Sequence, residues 1–428
     1  DEPSEPGDEP SRPGESSGTA GGGTDDRTKD SVVTTENGIV KIILTARAEN
    51  GVAKTVLTGE LLQRALSQAS ADADGQKRIV VEIPAVNGAS SHEMQLPVDK
   101  LQGSENFTLA VQTATGTLEI PSNLLAGWSP GESGPISLAV GTGSAEKLNE
   151  SLRGQIGNRP IVAVRLLADG QPVDWRNPAA PVTVHLPYEP TPEERAKPDH
   201  VLVWYIDDAG HVTPIANSRF DAAGGTVRFL TRHFGTFAVT SVFRTFDDLT
   251  AAPWAGTAIE VMASRGVMSG TGDTTFNPKG IVTRGDFIAM LVRALDLSAL
   301  VTDTADAVAF DDVSSADGRY QAILIARKLD IVRGVGDNRF LPDAPVTRQE
   351  MMTLTARALA ATGKASDPGS ADALEAYTDA DAVAGYARDA VILLISNGII
   401  NGMNGRLEPH GTLTRAQAAV ILYRIWKL

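Results

Sequence analysis

Apolar residues change their spacing along the chain. Between residues 31 and 140 they come in short runs bounded by turn residues, the pattern of strands. Runs at 39–44, 79–83, 107–111, 117–120 and 136–140 predict strands, and Pro84, Pro97 and Pro121 close elements. One stretch differs: Leu61, Leu62, Ala65, Leu66 and Ala69 recur at helical spacing behind Thr58, a suitable N-cap. A mixed β domain with one helix is expected over 31–140. Further runs at 161–167, 182–186, 201–206, 226–230 and 236–240 are separated by turn signals such as Asp208-Ala209-Gly210 and Ala223-Gly224-Gly225. This spacing predicts a second unit over 141–242, a small antiparallel β-sandwich-like domain.

From Phe243 onward the apolar period becomes helical and the order of landmarks repeats three times. Phe246-Asp247-Asp248 returns as Phe310-Asp311-Asp312 and Tyr377-Thr378-Asp379, and Thr283-Arg284 returns as Thr347-Arg348 and Thr414-Arg415. Gly266-Val267-Met268-Ser269-Gly270, Asp330-Ile331-Val332-Arg333-Gly334 and Gly398-Ile399-Ile400-Asn401-Gly402 lie between them, followed by Phe276-Asn277-Pro278, Phe340-Leu341-Pro342 and Leu407-Glu408-Pro409. Each repeat therefore predicts an Asp-bearing loop, a helix, a Gly-rich turn and a second helix opened by Thr-Arg. The expected repeats are 243–306, 307–373 and 374–428.

The residues of the second helix can be read physically. Thr283, Thr347 and Thr414 suit an N-cap, and Glu350 and Gln417 suit the third helical position of a capping box, with Asp286 a shorter substitute. Phe287, Met290, Leu291 and Ala294, with their counterparts Met351, Leu354 and Ala358 and Ala418, Ile421, Leu422 and Ile425, form the apolar face behind them. Arg284, Arg348 and Arg415 oppose the positive end of the helix dipole. Their recurrence there admits two readings, a fork for a ligand carboxylate or an internal salt bridge to the Asp of the same or the next repeat. Asp248, Asp312 and Asp379 suit capping of the following helix or hydrogen bonds to sugar hydroxyls. Trp254 and Tyr386 occupy matching positions at helix starts, suited to core edge or to stacking on a sugar ring. Gly266 and Gly398 suit helix-ending turns or close approach of backbone to a ligand. Arg293, Arg357 and Arg424 also recur, and read as solvated or structural. Repeat two departs from the pattern, with Gly318 in place of the aromatic and Asp330 in place of the Gly. A groove relying on those two positions is expected to bind weakly.

Composition narrows the function classes. The 428 residues are 42% hydrophobic and 21% charged, with net charge −15 and no Cys. Several domains fit in that length. The acidic balance argues against sequence-independent nucleic-acid binding, and the lack of Cys excludes disulfides and thiolate sites. No run approaches the roughly 18 apolar residues of a membrane span. Residues 1–30 carry nine acidic and three basic residues among Pro, Gly and Ser, and are expected to be a disordered linker. Because the chain starts at Asp1 rather than Met, a mature or excised fragment tethered to an upstream module is the expectation. His92, His185, His200, His211, His233 and His410 show no metal-ligand spacing. Asp72-Ala73-Asp74-Gly75 lacks the later ligands of a calcium loop and reads as a surface turn. No cofactor, metal site or catalytic constellation is predicted.

The threefold series resembles the S-layer homology (SLH) family in three tandem copies, covering a little under half of the chain. The stretch 231–239 is weakly similar to the closing strand of β-domains that precede such repeats in bacterial surface proteins. The resemblance implies an all-α, pseudo-threefold domain with grooves between repeats. It also implies a secreted protein held non-covalently at the cell wall or surface layer by an anionic secondary cell-wall polysaccharide, often pyruvylated on N-acetylmannosamine, or by a peptidoglycan-linked glycan. On that expectation the ligand-binding residues are Arg284, Arg348, Arg415, Asp248, Asp312, Asp379, Trp254, Tyr386, Gly266 and Gly398. The leading expectation is a non-enzymatic anchor. The alternatives are the non-catalytic C-terminal region of a surface polysaccharide-degrading enzyme, or a structural surface-layer subunit.

Overall fold

The computed structural model describes residues 31–428 apart from 129–133, 302, 306 and 365–367. The expected linker, residues 1–30, lies outside the described residues. In chain order the strands are β1 (Val32–Glu36), β2 (Ile39–Ile43), β3 (Arg47–Glu49), β4 (Val52–Val56), β5 (Lys77–Glu82), β6 (Ser91–Gln95), β7 (Phe107–Gln112), β8 (Thr117–Pro121) and β9 (Ile136–Thr142). They continue with β10 (Ile161–Ala168), β11 (Gln171–Val173), β12 (Val182–Pro187), β13 (Val201–Ile206), β14 (Val212–Ile215), β15 (Arg219–Asp221), β16 (Thr226–Thr231) and β17 (Gly235–Ser241). Helices α1 (Gly59–Gln68), α2 (Glu150–Ile156) and α3 (Pro192–Ala196) lie among them.

The strands form two sheets. One has eight strands in the order β1-β2-β5-β7-β8-β12-β16-β15, and the other nine, β14-β13-β17-β10-β9-β6-β4-β3 with β11 beside β10. Alternation builds the layer between them: along β10, Val162, Val164, Leu166 and Ala168 are buried while Ile161, Ala163, Arg165 and Leu167 are only half-buried. Thr58 caps α1 by accepting from the Leu61 amide at 3.2 Å, and Leu61, Leu62, Ala65 and Leu66 are buried.

The expected boundary near residue 140 corresponds to no break in the fold. It cuts β9, which pairs with β6 on one side and β10 on the other. Both segments contribute to both sheets, and one apolar core runs from Val40 to Val239. Local periodicity could not reveal this, because β8–β12 and β9–β10 pairing is a long-range property. The segments do differ in pairing: β2–β5, β5–β7 and β4–β6 are parallel, whereas every pair within 141–242 is antiparallel.

Beyond Phe243 the chain turns helical: α4 (Gly256–Ser264), α5 (Arg284–Ala294), α6 (Tyr320–Lys328), α7 (Arg348–Thr362), α8 (Arg388–Ser396) and α9 (Arg415–Lys427). The first helix of each repeat packs on the second helix of another: α6 on α5, α8 on α7, and α4 on α9. The centre is a ring of three backbone hydrogen bonds. Val282 N donates to Leu413 O, Leu413 N to Val346 O and Val346 N to Val282 O, at 2.9–3.1 Å. Isolated β-bridges join Ile281 to Thr414, Thr283 to Pro345 and Thr347 to Thr412, so the region is not purely helical.

Arg265, from the turn after α4, joins the helical region to the sandwich. It is 2% exposed and donates to the carbonyls of Ser218, Asp199, Val201 and Ala216 at 2.7–3.2 Å. Its guanidinium lies 4.0 Å from the ring centroid of Trp426 on α9. Asp199 in turn accepts from Tyr423 and Lys427 at 2.5 and 2.6 Å.

Candidate functional site

Each second helix opens as its sequence dictates. Thr283, Thr347 and Thr414 accept from the third helical amide, and Glu350 and Gln417 complete capping boxes. The arginine that follows is turned toward a neighbouring repeat. Arg284 Nε donates to Phe340 O, Arg348 Nε to Leu407 O and Arg415 Nε to Phe276 O, at 2.7–3.0 Å. The first helical amides are taken the same way: Arg284 N donates to Ala344 O, Arg348 N to Gly411 O and Arg415 N to Gly280 O. Thus neighbouring carbonyls satisfy amides that would otherwise be free to meet an anion. Arg284 and Arg348 are 7% and 5% exposed. Arg284 also reaches Glu350 Oε1 of repeat two at 2.8 Å, an internal salt bridge, but to the capping-box Glu rather than to the expected Asp of the same or the next repeat. Burial pushes the pKa of Arg348 and Arg415 down, with nearby Glu408 and Asp286 respectively pulling it back.

The aspartates act neither as helix caps nor as free hydroxyl acceptors. Asp248 accepts from the amides of Phe276 and Asn277, Asp312 from Phe340 and Leu341, and Asp379 from Leu407 and Glu408, all at 2.7–2.9 Å. Each carboxylate thus clamps the loop that leads into the second helix of its own repeat. The second residue of each clamped pair is left-handed: φ is 60° at Asn277, 58° at Leu341 and 52° at Glu408. For Leu341 this is a strained conformation that the clamp holds in place. The amide of Phe276 leads in holding the Asp248 carboxyl below its usual range. At Asp312 and Asp379 burial works upward, and the paired amides outweigh it.

One groove between repeats is a formed cavity of about 290 Å³. Repeat one supplies Arg284. Repeat two supplies Arg333, Gly334, Glu350 and Arg357, and repeat three supplies Tyr386. Three guanidinium groups face one carboxylate there. Tyr386 is 59% exposed, so it stands clear of the core and offers its ring to the cavity. Trp254, its counterpart in repeat one, is 62% exposed. Gly334 fits closely: a Cβ there would lie 2.8 Å from the Phe310 ring and 2.7 Å from Arg339 O.

Gly318 and Asp330, which suggested one weak groove, separate in the structure. Asp330 takes the left-handed turn conformation of Gly266 and Gly398, with φ 55° against 68°. Its carboxylate pairs with Arg333 at 2.6 Å beside the formed cavity. Gly318 stands elsewhere, next to Arg319, whose guanidinium reaches Asp317, Asp343 and Asp286 at 2.6, 2.8 and 3.5 Å. A cation and three carboxylates therefore fill the place where the other repeats carry an exposed ring. Gly266 lies at the junction with the sandwich, where a Cβ would meet Pro214 at 3.4 Å, and Gly398 faces open space. Neither lines the formed cavity.

Sequence reasoning missed Arg333 and Glu350 as groove residues and read Arg357 as solvated or structural. Arg357 does donate to Ile331 O at 3.2 Å, as Arg293 does to Val267 O and Arg424 to Ile399 O, so the recurrence has a structural cause. Arg333 occurs in only one repeat, so no recurrence pointed to it.

The S-layer homology domain family matches residues 245–288, 309–352 and 376–419, so three tandem SLH domains make up the C-terminal region. The chain is 33% identical over 229 residues to an amylopullulanase of Thermoanaerobacterium thermosulfurigenes, covering 53% of this chain and 12% of that protein. It is 31% identical over 234 residues to exoglucanase XynX of Acetivibrio thermocellus, covering 54% of this chain and 20% of that protein. Identity to a surface-layer 125 kDa protein of Lysinibacillus sphaericus is 26% over 210 residues, 48% of this chain and 17% of that protein. The chain thus spans a fifth or less of these relatives. The first two matches are longer than the stretch from residue 245 to Leu428, so they reach into the sandwich. The SLH repeats mark a cell-surface, cell-wall-associated protein, and the region they form is non-catalytic.

Proposed function

We propose that the three SLH repeats of this chain anchor it non-covalently to the bacterial cell wall by binding an anionic secondary wall polysaccharide in grooves between repeats. The pyruvylated N-acetylmannosamine type suits the chemistry. The observation that carries this reading is the convergence of Arg284, Arg333 and Arg357 with exposed Tyr386 on one cavity. Planar guanidinium groups match a ketal carboxylate, and a phenol ring suits the apolar face of a pyranose. Arg333 is the freest of the three, with only the exposed partner Asp330 to give up. Arg284 holds the cavity wall more than it offers a donor. The ring of bonds among Val282, Leu413 and Val346 supports treating the repeats as one pseudo-threefold domain. On this reading the protein is secreted and the sandwich is a spacer that presents whatever is attached to it.

The names of the relatives favour a second reading, in which the chain is the non-catalytic C-terminal region of a surface polysaccharide-degrading enzyme. Both readings share the anchor. The test is co-sedimentation of the chain with purified wall sacculi, before and after mild acid removal of the secondary polymer. Pelleting with intact walls only, weakened at least tenfold by Arg333→Glu with Arg357→Glu and unchanged by Arg153→Glu on α2, is the expected result. Pelleting that survives acid treatment would refute the polymer as ligand.

A further inference from the structure

A second cationic cavity lies where the sandwich meets the repeats, and it belongs to no groove between repeats. It has a volume of about 340 Å³. Arg219 of β15, Arg228 of β16 and Arg232 just beyond it line one side, and Lys364, two residues past α7, lines the other. This concentration of charge runs against a chain of net charge −15.

The usual reason for clustered cations is clustered acids, and here Glu119 is committed elsewhere while Asp296 faces the four cations. Glu119 lines the cavity, but its carboxylate is held by Arg78 at 2.7 Å and lies 3.6 Å from His185. Asp296 also lines it, and burial pushes its carboxyl up to about 6 although Arg232 and Arg176 pull it down. Among the described residues, none of the four cations forms an ion pair; the nearby pair is Lys427 with Asp199. Arg219 gives one donor to Lys427 O and its face to the Trp426 ring at 4.9 Å, and Arg232 gives Nε to Pro178 O. Among the described residues, no hydrogen bond takes their remaining side-chain donors or those of Arg228 and Lys364. The cations also act on one another. Burial lowers the pKa of Arg219 and Lys364, and the charge of Arg228 lowers both further. Like charges sharing a cleft oppose one another, so the four cations together cost stability that these few contacts offset only in part.

We propose that this cavity between sandwich and repeats binds a clustered oxyanion, several phosphate or carboxylate groups carried on one molecule, through Arg219, Arg228, Arg232 and Lys364. The site does not rest on the wall-anchoring reading, because it shares no residue with the groove at Arg333. Guanidinium forks converge from one domain and an ammonium from the other, so one multivalent anion would touch both and add to the lock at Arg265.

The test uses the full chain with inorganic pyrophosphate as the phosphate probe and trigalacturonate as the carboxylate probe. Calorimetric titration and thermal melting are run at low and at physiological salt. Binding of at least one probe, weakening with salt and falling at least tenfold in Arg228→Gln with Lys364→Gln, is the expected result. Arg333→Glu with Arg357→Glu should keep that binding, which separates this site from the groove. The glutamine pair removes repulsion, so its ligand-free melting temperature should be no lower than that of the parent. Either probe bound alone would identify the anion class. No binding of either, or equal binding by the glutamine pair, would overturn the proposal.

Discussion

The joints between repeats and the joint between repeats and sandwich solve one problem in two ways. Both set a buried or half-buried arginine against backbone carbonyls. Between repeats the device is made three times, by Arg284, Arg348 and Arg415 on the carbonyls of Phe340, Leu407 and Phe276. At the sandwich it is made once, with Arg265 on four carbonyls and the Trp426 ring. A carbonyl can be shared by any chain that passes nearby, so it fixes where two backbones meet without demanding a particular partner side chain. The difference is redundancy. Three braces share the load around a closed ring, whereas at the sandwich Arg265 is the one buried guanidinium, with the contacts of Asp199 and Arg219 to α9 beside it.

The largest effect should therefore follow from breaking the unique joint. Arg265→Ala leaves several carbonyls without donors and uncovers Trp426, and should cost about 3–5 kcal/mol. Urea unfolding should then split into separate transitions for sandwich and repeats. A loss below about 1 kcal/mol with a single transition would mean that the two regions merely abut. A smaller effect is expected inside the ring: Arg348→Ala removes the donor to Leu407 O and should cost about 1–3 kcal/mol. Arg284→Ala should cost at least as much, because it also frees Glu350. If instead both variants fold with parental stability yet fail to pellet with walls, these arginines serve the ligand and not the ring.

The same contrast explains what the sequence made legible. The braces recur at spacings of 64 and 67 residues, so Thr283-Arg284 and its counterparts could be found by self-comparison. The strands at 107–111, 161–167 and 201–206 and the α1 stripe followed from local periodicity, and each stands within an observed element, save that Ala69 is the C-cap just beyond α1. Arg265 and Arg333 each serve a place that exists once, and nothing in spacing sets them apart from other surface arginines. The merging of two expected domains into one sandwich was hidden for a related reason. Strand pairing across 60 or more residues, as Thr183 with Glu119, leaves no local mark. The aspartates were found as a series but misjudged in role, because their partners lie 28 and 29 residues away rather than at the next helix start.

Acid response gives the finest comparison, because the two regions should respond with opposite sign. Asp248, Asp312 and Asp379 have folded pKa values held below the unfolded value of about 3.9. A depressed carboxyl contributes stability that is present above the unfolded pKa and lost as pH falls through the folded one. The repeats should thus weaken below about pH 4, and Asp379→Asn should flatten that loss. Asp296, at the junction, is raised to about 6 by burial against the pull of Arg232 and Arg176. A raised carboxyl contributes stability that is complete below the unfolded pKa and disappears as pH rises through about 6. The junction should therefore loosen between about pH 4 and pH 6, and Asp296→Asn should abolish that change. Melting temperatures of the parent and the two asparagine variants across pH 3–8 measure both arms at once. A parent curve that runs parallel to that of Asp296→Asn from pH 4 to 6 would show that the junction does not hold this carboxyl as a buried group.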